Sequence, residues 1–309
     1  MKALGIFTLI LASLLLGGCS DNDPLKYEPI SFPVTDEITG IDFTDGSHGC
    51  VVTAVGDVFL TTNGKSFAKT ASFGRRLSDV CFLDDDIGIA FGAGLLARTN
   101  DGGQTWTAMS CDSTYLLDDC VFAKDNRGIL VGAIASGDHA GHGLIGISDD
   151  EALTFRWDTT EFSGFTDIDD VPPSHAWILG DGVLLYTTDN GQTWEHSTHR
   201  VQGSHQVYFT DVQHGWEVGD NGLLRYSSDG GWSWQDKLKM TEEPLLCVTA
   251  PEIDIIYIAG NRFVAVSTNH GRQWVKDSAT YPVKFNDLDW VGGHIFVAGS
   301  GGTLMKLDL

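Results

Sequence analysis

The chain has 309 residues, with 19 Lys and Arg against 42 Asp and Glu, giving a formal net charge of −23 at pH 7. Such a surface repels phosphate backbones and anionic headgroups, so nucleic acid is excluded as a partner. No run of like charge exceeds a few residues, so the acidity belongs to a folded surface and not to a disordered tail.

Residues 1–18 read as a signal segment: Lys2, an apolar run from Ala3 to Leu16 too short for a comfortable membrane span, then Leu16-Gly17-Gly18-Cys19. The small-residue site ending in Cys19 is similar to the lipobox of bacterial lipoproteins. That resemblance implies cleavage before Cys19 and a lipid anchor on it. With Ser20 following, it places the protein in the cell envelope, on the periplasmic face of a Gram-negative outer membrane. The alternative is an ordinary secretory signal with an incidental cysteine. Residues 19–26 then serve as lipidated Cys and polar tether, and 27–309 remains for a single fold.

Within 27–309 one turn recurs, starting at residues 61, 99, 148, 187, 227 and 267, which are 38, 49, 39, 40 and 40 apart. Thr99-Asn100-Asp101-Gly102-Gly103-Gln104-Thr105-Trp106 is the clearest copy, and the others centre on Asn63, Asp150, Asp189, Asp229 and Asn269. The Asp or Asn can accept downstream backbone N–H groups, and the glycine takes a positive φ cheaply. Trp106, Trp194, Trp234 and Trp274 close four of the copies and offer a large face to a neighbouring unit. The pattern resembles the Asp-box turns of β-propellers.

Upstream of each turn lie a Gly-rich turn and an apolar strand, as in Gly180-Asp181-Gly182-Val183-Leu184-Leu185; further upstream a Phe stands six residues before a Gly, as Phe43 does before Gly49. Each unit therefore reads as four antiparallel strands in about 40 residues, the size of a propeller blade. The last unit, Ile295 to Lys306, stops without an outer strand, and the extended stretch Tyr27 to Val34 is expected to supply it. The expected fold is all-β, a seven-bladed β-propeller whose last blade is closed by the N-terminal strand.

Five cysteines follow Cys19: Cys50, Cys81 and Cys247 in apolar strands, and Cys111 and Cys120 flanking the loop 112–119, where a disulfide is possible. The acidic clusters (Asp84 to Asp86, Asp118-Asp119, Asp149 to Glu151, Asp167 with Asp169-Asp170, Glu242-Glu243) read as turns. No catalytic residues and no cofactor are expected. The insertion Gly132 to Gly143 holds His139 and His142, a loose pair without the further ligands that a metal site would need. Arg75, Arg76 and Arg200 should share the face of the b–c turns. With His139 and His142 they form the candidate partner-binding group.

The run from His214 to Trp234, with its G-W-x-V-G-x-x-G-x-L segment leading into the turn, resembles the family of the photosystem II assembly and stability factor. The resemblance implies a seven-bladed, non-catalytic, membrane-anchored scaffold that binds proteins of an envelope or photosystem-like complex and acts as a monomer. Sialidases share the Asp-box, so a sialidase-like glycoside hydrolase is the alternative. Here no Arg-Ile-Pro is present, and no arginine precedes Arg75.

Overall fold

A computed structural model describes residues 28–122, 127–199, 201–276 and 282–308. Its strands form seven four-stranded antiparallel sheets, each in simple meander order except the last. The inner strands are Ile38–Phe43, Leu77–Phe82, Tyr115–Phe122, Phe165–Val171, Ser204–Phe209, Leu245–Glu252 and Phe285–Val291, for blades 1 to 7. Each touches the inner strand of the next blade, and blade 7 touches blade 1, so the ring is closed. This is the expected all-β, seven-bladed propeller.

Why these segments form strands follows from where they sit. The second strand of blade 1, Gly49–Thr53, is buried along its whole length, as are Gly88–Gly92 and Gly215–Gly219. A middle strand is covered on both faces by neighbouring blades, so it reads as a continuous apolar run. The hydrophobic core is correspondingly divided into seven layers, one per blade junction. Between blades 5 and 6, for example, Trp216, Val218 and Leu224 pack on Leu245, Val248 and Ile258. Between blades 7 and 1, Phe296 stacks on Phe43 with ring centroids 3.7 Å apart.

The N-terminal strand supplies the outer strand of blade 7. Glu28 pairs with Lys306 and Pro29 with Met305, and the Ile30 N–H donates to the Leu304 carbonyl at 2.9 Å. The pairing is short. Ile30, Phe32 and Val34 extend it by packing on the core layer between blades 7 and 1.

Two expectations need correction. The segment 112–119 is not simply a loop, because Tyr115–Phe122 is the inner strand of blade 3. The insertion Gly132 to Gly143 is loop only over residues 135–141: strands Gly128–Ile134 and His142–Ser148 run into it from both sides, and the outer strand Arg156–Ser163 matches their length. Elsewhere the outer strand is as short as two residues, as at Glu195–His196.

Candidate functional site

The repeated turns are held by their own side chains. Asp101 accepts the Thr105 N–H at 2.8 Å and the Thr105 hydroxyl at 2.6 Å, while Thr99 Oγ1 accepts the Gly103 N–H at 2.9 Å. Asp150, Asp189 and Asp229 repeat the arrangement with Thr154, Thr193 and Ser233, and Asn269 and Asn63 make the shorter amide version. These hydrogen bonds hold the Asp189 carboxyl down at about 2 and lower Asp101. The indole N–H groups of Trp106 and Trp234 donate to the carbonyls of Gly103 and Gly231, both at 3.1 Å; those of Trp194 and Trp274 find no acceptor among the described residues. In the blades whose first hairpin turn is described, the repeated turn also bonds to it, as the Gly64 N–H does to the Ser47 carbonyl and the Gly102 N–H to that of Asp86. The residues of this face are therefore committed to their own backbone.

The other face opens on the axis. Every inner strand carries a bulge at the same place, between Leu77 and Asp79 in blade 2 and between Phe285 and Asp287 in blade 7, for example. The bulge residues Thr39, Ser78, Asp118, Thr166, His205, Leu246 and Asn286 line a well of about 240 Å³ at the channel mouth. Just below them come Asp79, Asp119, Asp167, Gln206 and Asp287. With a side-chain period of two, Asp42, Asp169 and Asp289 form the next ring down.

These carboxylates solve a problem that the fold creates. An inner strand has one edge without a partner strand, and its N–H groups need acceptors. Side chains of the preceding blade supply them. Asp287 and Asp289 of blade 7 accept from Ile41 and Phe43 of blade 1 at 2.9 and 2.8 Å, and Asp119 accepts from Ile168 at 2.8 Å. Asp167 accepts from Val207 at 2.9 Å, and Gln206 from Val248 at 2.6 Å. Burial raises the whole set: Asp42 and Asp119 to about 7, Asp287 to about 6, and Asp79, Asp167, Asp169 and Asp289 well above the usual carboxylate range. The neighbouring Asp119 carboxyl adds to the rise at Asp167.

The acidic clusters therefore divide. Asp84 to Asp86, Asp149 to Glu151 and Glu242-Glu243 lie in turns or bends, as expected. Asp118-Asp119 and Asp167 to Asp170 do not; they belong to inner strands facing the axis. A partial signal was present, because Asp42 falls one position before Phe43, and Asp79 and Asp119 three positions before Phe82 and Phe122, whereas Asp170 and Trp290 replace that Phe in blades 4 and 7.

Cations stand at the mouth at the entries to blades 2 and 7. Arg76 and Lys284 line the well, and Arg76 also holds the buried Asp118 carboxyl below the value that burial alone would give, though it still stands at about 6. Arg76 lies 3.9 Å from Glu37, with half its side chain still exposed. Arg75 is exposed, its guanidinium donating to the Gly94 carbonyl at 3.3 Å. Arg262 is exposed on the b–c turn of blade 6, beside Lys284. Lys284 and Arg262 were not singled out from the sequence, because only the closed ring brings Lys284 to the same well as Arg76, with Arg262 beside Lys284. Arg200 lies outside the described residues.

His139 and His142 sit at the tip of the blade 3 hairpin, ring centroids 5.4 Å apart, away from the residues lining the well. Among the described residues no group of three or more His, Cys, Asp or Glu is arranged to hold a metal ion. His199 pairs with the buried Glu217 at 3.2 Å and His205 with Asp220 at 2.9 Å, so these histidines are engaged separately.

Fold and site together define a seven-bladed propeller with an acid-walled axial channel and a cationic collar at one mouth. No family model matches the chain. It is 28% identical over 122 residues to the photosystem II assembly lipoprotein Ycf48 of Synechococcus sp. (strain CC9902), covering 37% of this chain and 36% of that protein. It is 23% identical over 175 residues to the photosystem II stability/assembly factor HCF136 of Arabidopsis thaliana, covering 54% and 33%. The chain thus matches about a third of the length of these curated relatives. A solved structure of YCF48 bound to D1 peptide superimposes with a TM-score of 0.75 at 19% identity, over 94% of this chain and 98% of that one. At that identity the superposition shows the fold. The resemblance carried by residues 214–234 and these comparisons point to the same proteins.

Proposed function

We propose that this chain is a non-catalytic scaffold that holds a membrane-protein partner during assembly or stabilisation of a complex, with Cys19 as its lipid anchor in the cell envelope. The observation that carries the reading is the collar. On a chain of net charge −23, Arg75, Arg76, Arg262 and Lys284 gather on the one face whose residues are not consumed by turn hydrogen bonds. Charge-assisted contacts from such a group suit carboxylates of an extended acidic segment or a chain terminus. A rigid disc presents them with little ordering cost. The names of the sequence relatives, an assembly lipoprotein and a stability/assembly factor, support the same role.

The channel acids support a non-catalytic reading as well. A glycosidase needs two carboxylates free to flank a sugar, whereas Asp167 is 4% exposed and Asp119 and Asp167 each accept a neighbouring blade's N–H. The test is capture from detergent-solubilised membranes, read by cross-linking and mass spectrometry. Arg76→Glu with Lys284→Glu should reduce recovery of the cross-linked partner at least tenfold, and Arg272→Glu, exposed on the opposite face, should leave it unchanged. Loss with Arg272→Glu alone would move the working surface to the other side. Sialoside turnover by the purified chain would defeat the scaffold reading.

A further inference from the structure

Cys50, Cys81, Cys111, Cys120 and Cys247 are free thiols. Cys111 and Cys120, flanking a stretch that seemed suited to a disulfide, are not each other's neighbours in hydrogen bonding. The Cys111 thiol donates to the Asp112 carbonyl at 3.6 Å. Cys120 instead meets Cys81, from the preceding blade. The Cys81 thiol donates to the Cys120 carbonyl at 3.6 Å, and both residues belong to the packing layer between blades 2 and 3. Cys120 is 7% exposed and packs into the layer between blades 2 and 3. Cys81 occupies the channel-wall position that Asp42, Asp169 and Asp289 fill in their blades, where the side chain reaches across to the following inner strand. The junction between blades 2 and 3 thus has a thiol at the position where the junctions after blades 1, 4 and 7 have a carboxylate bonded to a backbone N–H.

We propose that Cys81 and Cys120 are a dithiol–disulfide couple that, when oxidised, covalently staples the inner strands of blades 2 and 3 at the channel wall. The oxidant is a low-molecular-weight disulfide. The Cys81 thiolate attacks one of its sulfurs and releases one small thiol, leaving a mixed disulfide on Cys81. The Cys120 thiolate then attacks Cys81 Sγ and releases the second small thiol. Two protein thiols are oxidised by two electrons, one external disulfide is reduced, and the two protons leave with the two small thiols.

The surroundings set the order and the speed. The neighbouring Cys120 side chain lowers the Cys81 thiol, but burial and the carboxyls of Asp42, Asp79 and Asp119 outweigh it and leave Cys81 at about 11. Cys120 is likewise pushed well above the usual thiol range, chiefly by burial, and is the more buried of the two sulfurs. Cys81 is therefore the attacking sulfur, and both thiols are slow to react at neutral pH.

The experiment treats the reduced, folded full chain with 2-hydroxyethyl disulfide at pH 8.5, quenches with acid, alkylates, digests with pepsin and maps the linkages by mass spectrometry. The expected product is a peptide pair joined through Cys81 and Cys120, with the thiol titre lower by two. Its melting temperature should be higher by about 5 °C, because the staple closes a long loop. Cys120→Ala should yield only a mixed disulfide on Cys81, and Cys81→Ala no link at Cys120. A Cys111–Cys120 link overturns the proposal. So does a Cys81–Cys120 link that forms only after denaturant is added, since the native geometry would then not be its cause.

Discussion

Asp101 and Asp167 both accept backbone N–H groups, but from different distances along the chain. Asp101 serves Thr105, four residues on; Asp167 serves Val207, forty residues on and in the next blade. The first role is legible from a short window because spacing and neighbouring Gly and Thr determine it. The second is not, because the strand edge that needs the acceptor exists only once the ring has closed. Asp167 to Asp170 therefore looked like a turn. The distinction has a measurable consequence. Asp167→Ala leaves the Val207 N–H buried without its acceptor and should cost about 1–3 kcal/mol in urea unfolding at pH 5. Asp85→Ala, in the exposed turn 84–86, should stay within about 0.5 kcal/mol. Equal effects would mean that the channel carboxylates are not inter-blade caps.

At the scale of elements, the closing strand was readable because the last unit lacked an outer strand and an extended apolar stretch stood free at the other end. Its extent was not readable. Only Glu28–Pro29 pair as a strand, and residues 31–35 alternate in exposure, with Phe32 and Val34 turned inward. Phe32 meets the rings of Phe59 at 4.9 Å and Phe67 at 5.3 Å. The segment is thus held more by packing than by its few hydrogen bonds. Phe32→Ala should destabilise by about 2–3 kcal/mol, near the low end for an aromatic truncation because the ring is only partly buried. A chain beginning at Asp36 should melt lower still and aggregate through the exposed edge of Thr303–Asp308. Melting at the parental temperature would show the segment to be a tether. The blade 3 insertion was legible as extra length, but its conversion into longer strands was not, since periodicity in a Gly-rich stretch such as Gly132 to Gly143 is weak.

For the whole molecule the two sets of aspartates pull stability in opposite directions with pH. In the repeated turns the folded carboxyls lie below their unfolded values, Asp189 at about 2. Their contribution is present above about pH 4 and is lost as pH falls toward 2. These groups are exposed, so screening keeps that contribution small. In the channel the folded values are raised, to about 7 for Asp42 and Asp119 and about 6 for Asp287. Between about pH 4 and pH 7 the folded chain therefore holds more protons than the unfolded one, and stability falls as pH rises through that window. Self-repulsion at a net charge of −23 acts in the same direction. Neighbouring channel groups titrate together, so their effects do not simply add. The free energy of unfolding should be higher at pH 5 than at pH 8 by on the order of 2–4 kcal/mol. Urea melts at the two pH values check this. Asp167→Asn keeps a side-chain oxygen for Val207 but carries no charge, so it should be near neutral at pH 5 and stabilising at pH 8. If the wild type instead grows more stable from pH 5 to pH 8, or if Asp167→Asn destabilises equally at both, the channel carboxyls are ionised at little cost and the acid wall does not govern the stability of the ring.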